Sequence, residues 1–136
     1  MKKIFVGILL TLATLTAQAQ APAPATLAGV MKAMSSTLKK IAAQSADASK
    51  NADSARMTQE LMDMTKNSKN HIPGSIKNLP KDQQKIQQDQ YNKMIDDSVA
   101  LMQELLVAFQ NNDNTKVVDA LNKINASKKE GHNAFK

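Results

Sequence analysis

The chain has 136 residues, with 18 Lys and Arg against 12 Asp and Glu, 3% aromatic residues and no Cys. Without Cys there is no disulfide framework, no thiolate metal site, no thiol catalysis and no covalent c-type haem attachment, which needs Cys-x-x-Cys-His. The charge of +6 is spread along the chain, whereas nucleic-acid binders gather basic residues on one face and single-strand binders add stacking aromatics, so it reads as a solvated surface that favours an acidic partner.

The first stretch reads as an address. Lys2 and Lys3 precede an apolar run over 4–16, and Ala17-Gln18-Ala19 puts small residues where a signal peptidase reads. This pattern predicts a removable secretory signal over 1–19, cut after Ala19 or alternatively after Ala21. The apolar run is too short to span a bilayer as a helix, and no Cys follows it to carry a lipid. Losing Lys2 and Lys3 takes the 18 basic residues to 16 against 12 acidic ones, a charge of about +4. The expected product is one periplasmic domain with no membrane span.

Residues 20–25, Gln-Ala-Pro-Ala-Pro-Ala, form an Ala/Pro tether, because proline lacks a donor and biases its predecessor away from helix. A helical domain is expected over 26–136. Thr26 caps a first helix whose apolar residues Leu27, Met31, Met34, Leu38 and Ile41 alternate spacings of four and three, with Ser45 continuing the rhythm and Val30 and Ala42 widening the stripe. Asp47 or Ser49 caps a second helix to about Lys69, with Ala52, Ala55, Met62 and Thr65 near one face and Leu61 and Met64 flanking. Ile72-Pro73-Gly74-Ser75 and Leu79-Pro80 punctuate the long middle connection.

A third helix runs from Lys81 or Asp82 to about Gln110, burying Tyr91, Met94, Ile95, Ser98, Leu101, Met102, Leu105 and Phe109. Asn111-Asn112-Asp113-Asn114 is a turn of residues that bond their own backbone. Asn114 or Thr115 then caps a fourth helix, marked by Val117, Leu121, Ile124, Lys128, His132 and Phe135. No stretch alternates with the period of a strand. The expected fold is all-α, an antiparallel up-down-up-down four-helix bundle.

In such a bundle the start of helix one, the end of helix four and the middle connection share one end. Met31 lies on the first helix's stripe, and His132 lies about 20° around its helix from Leu121, so both are expected to point inward. A thioether facing an imidazole across a core can hold a haem iron axially. The plainer reading stays open beside it: Met is ordinary core filler, and a His near a chain end is ordinarily a frayed surface residue. His71 in the middle connection reads as a solvated loop residue, with a bis-His haem in which it replaces Met31 as the sharper alternative.

Particular residues give the chain a family likeness. Met31 stands seven residues before Leu38-Lys39-Lys40-Ile41, His132 is followed three residues later by Phe135, Lys128 stands four residues before His132, and Asp96-Asp97 sits in the third helix. With the Pro-containing middle connection, these features resemble the cytochrome b562 family of periplasmic haem bundles, across the whole mature chain. The resemblance implies one non-covalent haem b with iron held by Met31 and His132, contacts from Met34, Tyr91, Lys128 and Phe135, and electron transfer to an unidentified redox partner protein by a monomer.

No enzyme signature stands out: Glu60 and Asp63 form an acidic i,i+3 pair, but no Glu-x-x-His accompanies it. The alternative is a haem-free exported bundle with a structural or interaction role, or one binding Cu(I) through Met-rich helices, where Met31-x-x-Met34 and Met62-x-Met64 supply soft thioethers.

Overall fold

In the computed structural model of the chain, Pro24 and residues 26–135 are described. The expected signal over 1–19 and, Pro24 apart, the tether over 20–25 lie outside the described residues. The described chain is all-helical: α1 (Leu27–Gln44), α2 (Asn51–Asn67), a one-turn α3 (Gly74–Lys77), α4 (Lys81–Gln110) and α5 (Asn114–Phe135), with 3-10 turns over Ala48–Lys50 and Ser68–Asn70. No strand occurs among the described residues. None of these helices is long and apolar enough to cross a membrane.

The ends of the helices follow local chemistry. Thr26 is extended, and its hydroxyl accepts from the Gly29 amide at 3.1 Å, satisfying a donor that the first turn leaves free. A Cβ on Gly29 would meet the Pro24 side chain at 2.9 Å, so a glycine lets the preceding chain pass close over the start of α1. Asp47 accepts from the Ser49 amide at 3.0 Å and caps the 3-10 turn that leads into α2. Pro80 precedes α4, where a missing amide costs nothing upstream of a helix. Between α4 and α5, Asn112 takes φ of 54°, a left-handed conformation that Asn tolerates. Asp113, rather than Asn114 or Thr115, caps α5: its carboxylate accepts from the Lys116 amide at 3.1 Å.

The core has two parts. The larger one joins Leu38 and Ile41 of α1, Leu61 of α2, Leu105 and Phe109 of α4, and Val117 and Leu121 of α5. A smaller one joins Ile76 of α3 to Tyr91 and Ile95 of α4, with Phe135 of α5 packed against it. The long middle connection contains one helical turn, α3, which delivers Ile76, 2% exposed, onto α4. α2 also differs from its expected face. Met62 and Thr65 are buried as expected, but Ala52 is exposed and Ala55 only half-buried, while Ser54 and Thr58 take their place on the fully buried face. Small hydroxyl residues can occupy a core face because they bond the preceding turn: Thr58 to the Ser54 carbonyl at 2.7 Å and Thr65 to the Leu61 carbonyl at 2.7 Å.

α2 packs on α1 and on α4, and α4 packs in turn on α5. α1 and α5 make no comparable contact, and the two helices stand apart as the walls of a groove. Side-chain bonds tie the ends of the fold: Asn51 Nδ2 donates to Asn112 Oδ1 at 2.8 Å, and Ser75 Oγ donates to the Phe135 carbonyl at 3.1 Å.

Leu105 is fully buried in the larger core, whereas Val118 is 52% exposed. Leu105→Ala is expected to cost about 2–5 kcal/mol, and Val118→Ala less than about 0.5 kcal/mol. Urea unfolding of both variants checks the core assignment.

Candidate functional site

The groove between α1 and α5 has a volume of ≈ 680 Å³, within the about 300–1,000 Å³ typical of small-molecule and cofactor sites. α1 contributes Leu27, Met31, Met34 and Ser35 to one wall, and α5 contributes Ser127, Lys128, Gly131 and His132 to the other. The floor comes from Leu61 and Thr65 of α2 and Met94, Ser98 and Met102 of α4. Tyr91, Ile95 and Phe135 close the end nearest α3.

All six residues expected from the sequence to contact a cofactor line this one groove: Met31, Met34, Tyr91, Lys128, His132 and Phe135. Their burial departs from expectation in two places. Met31 is 39% exposed, and His132 is exposed too, so both stand at the rim rather than inside a closed core. The reason is the packing: each lies on a flank that would be buried only if α1 and α5 closed on each other, and they do not. His71 is half-buried at the end of a 3-10 turn and is not among the groove's lining residues. Met62 lies in the larger core and Met64 packs against it, so that pair is also outside the groove.

The hydroxyls of the groove are already paired. Ser98 Oγ lies 2.9 Å from Ser127 Oγ and bonds the Met94 carbonyl at 2.8 Å. Thr65, bonded to its own helix, is also 3.4 Å from Met102 Sδ. Lys128 Nζ donates to Ser35 Oγ at 3.2 Å, reaching from α5 to α1. The donor atoms left facing the groove are the thioethers of Met31, Met34 and Met94, the imidazole of His132, and the amines of Lys32 and Lys128. This set suits a large apolar ligand carrying a soft or borderline metal and anionic groups. Among the described residues no group of three or more His, Cys, Asp and Glu comes together to hold a bare ion.

Sequence reasoning missed Gly131. A glycine inside a helix costs about 1 kcal/mol relative to Ala, and here it faces Met94, whose Cε a Cβ at 131 would meet at 3.4 Å. The lone Gly in a helical pattern was the available signal. The end wall is fixed more firmly: the Tyr91 and Phe135 rings meet edge to face with centroids 5.3 Å apart, and the Tyr91 hydroxyl donates to the Ser68 carbonyl at 3.1 Å. No known protein family, curated protein or solved structure matches the chain.

Burial pushes the Tyr91 phenol above its ordinary value, outweighing the opposing effect of its hydrogen bond to Ser68. Folding therefore favours the protonated phenol. That contribution to stability is present below the unfolded value of about 10 and is lost as pH rises through the higher folded value. Tyr91 is the one tyrosine in the chain, so tyrosinate absorbance reports it alone. The expected titration midpoint is above about 10 in the folded chain and returns to about 10 in concentrated urea.

Proposed function

We propose that this chain is a periplasmic electron-transfer protein of the cytochrome b562 type, an antiparallel up-down-up-down bundle that holds one haem b in the α1–α5 groove. The bundle topology is supported by two bonds between element ends: Asn51 to Asn112 ties the start of α2 to the α4–α5 turn, and Ser75 to Phe135 ties α3 to the end of α5. The observation that carries the haem reading is that Met31 and His132, about a hundred residues apart in sequence, line opposite walls of one apolar groove of cofactor size.

The residues present fit the group. Met31, through its α1 thioether, and His132, through its α5 imidazole, would hold the iron. Haem b, when bound, supplies a one-electron ferric–ferrous couple. Met34 and Met94 present apolar, polarizable surface to it, and Tyr91 and Phe135 seal the end of the groove. Lys128 stands at the mouth beside Ser35, where an anionic substituent meets a cation. A Met ligand raises the potential relative to bis-His ligation. A haem held by both Met31 and His132 would serve electron transfer, and no catalytic role is assigned.

An absorption spectrum of the mature protein with haemin, oxidised and then dithionite-reduced, tests the reading. A sharp low-spin b-type α band on reduction is expected. Met31→Ala and His132→Ala should each weaken haem retention by at least about tenfold, or about 1.4 kcal/mol, with His71→Ala silent. Unchanged Soret spectra and affinity in His132→Ala would contradict the ligand assignment.

One observation favours a second reading. Four thioethers, Met31, Met34, Met94 and Met102, share the groove with His132, all but Met102 without a hydroxyl partner, and soft donors of this kind select Cu(I). Tight Cu(I) binding lost in Met34→Leu, with haemin bound no better than by an unrelated helical protein, would replace the haem reading with a copper-binding one.

A further inference from the structure

Ion pairs lie away from the groove rather than around its mouth, and Lys40, Lys66, Lys77 and Lys81 are unpaired elsewhere among the described residues. Away from the groove most cations have an acidic neighbour: Arg56 pairs with Asp53 and Glu60 on α2, Lys85 with Asp89 and Lys93 with Asp97 on α4, and Lys123 with Asp119 on α5. Around the groove mouth this stops. α1 contains no acidic residue at all. Its Lys32 lines the groove, and Lys39, two turns further on, stands on the same side of the helix. α5 adds Lys128, which lines the groove, and Lys129 beside it, both exposed. None of these four lysines forms an ion pair among the described residues. The two acids of α5 do not offset them. Asp119 is taken by Lys123, and the exposed Glu130 forms no ion pair with any of the four among the described residues.

We infer that the groove mouth is a docking face for the acidic surface of a partner protein, steered by Lys32, Lys39, Lys128 and Lys129. The partner's being a redox protein rests on the electron-transfer reading; the face itself rests on the charge pattern. Four uncompensated cations around one opening make a local positive field that raises the encounter rate with an anionic surface, and salt screens it within about 8–10 Å. Two carboxylates of a bound porphyrin would still leave the rim positive. Other polyanions fit less well. Of the exposed large apolar residues only Met31 lies on this face, too little to insert into a lipid surface. Tyr91 is 3% exposed, so no aromatic platform is offered to nucleic-acid bases.

The test is a heteronuclear NMR titration of the mature chain with poly-L-glutamate at low salt. Amide shifts confined to α1 and the last three turns of α5 are expected, reversed by about 0.15 M salt. Lys39→Glu combined with Lys129→Glu should weaken binding by about tenfold, while Lys85→Glu combined with Lys93→Glu on α4 changes it less than about twofold. Shifts spread over α2 and α4, equal loss in both double variants, or stronger retention on phosphatidylglycerol vesicles than on polyglutamate would overturn the inference. The titration does not need haem. Binding at this face in a chain that fails to take up haemin would keep the docking face and remove the electron-transfer reading, and the converse result would separate them the other way.

Discussion

The fold depends on α1 being gripped along one flank only. Val30, Leu38 and Ile41 are buried, the first and last almost completely, and each such side chain stabilises the fold by about 1.5–3 kcal/mol when fully buried. These contacts hold α1 to α2 and to the larger core. The flank carrying Leu27, Met31, Met34 and Ser35 has no helix closed on it. Protein interiors are ordinarily close-packed, so a space of ≈ 680 Å³ lined by apolar side chains needs a cause. The cause lies in residue size. Ala28, Ser35, Ser127 and Gly131 are small where α1 and α5 would otherwise meet, and Met94 and Met102 on the floor and Tyr91 and Phe135 at the end do not fill the middle.

The rest of the structure braces this opening. Below it, Leu61, Met102 and Ile124 belong both to the groove and to the larger core, so the floor is as rigid as the core itself. At the other end the smaller cluster of Ile76, Tyr91 and Ile95, with Phe135 against it, acts as a stop. The Ser75–Phe135 and Tyr91–Ser68 bonds tie that stop to the middle connection. The one polar link across the mouth among the described residues, Lys128 to Ser35, is exposed. Such a bond contributes little to stability, so the walls are held apart mainly by the packing behind them. The surface ion pairs add little to stability either; their absence around the mouth matters for what approaches it.

Much of this was legible in the sequence because it rests on periodicity. The α4 boundaries and the stripe of α1 follow from apolar spacing, and Thr26 announces α1 by cap chemistry; Asp47 caps only the 3-10 turn before α2, whose own N-cap, Lys50, makes no side-chain bond. The six expected groove residues came from combining helical spacing with a family likeness, and all six share one site. The failures have physical reasons. Ser54 and Thr58 are polar by type, and they can be buried because Ser54 Oγ accepts from Gln44 and Thr58 bonds the preceding turn. α3 is a single turn, too short to show a period, and depends on the tertiary contact of Ile76. The rim position of Met31 and His132 was out of reach because periodicity reports which way a side chain points, and says nothing of whether the facing helix closes on it.

The central claim is that the space left by small residues between α1 and α5 is a ligand site. Thermal unfolding of the mature chain against haemin concentration, with Gly131→Leu beside it, tests this most directly. A ligand bound only by the folded chain raises Tm by roughly 10 °C at about 100 times its Kd. The account predicts that rise for the natural chain. In Gly131→Leu it predicts an unchanged or higher Tm without haemin, since Leu is a better helix former than Gly, and no further rise with it. A Tm that ignores haemin in the natural chain, or a haemin-dependent rise that survives Gly131→Leu, would contradict it.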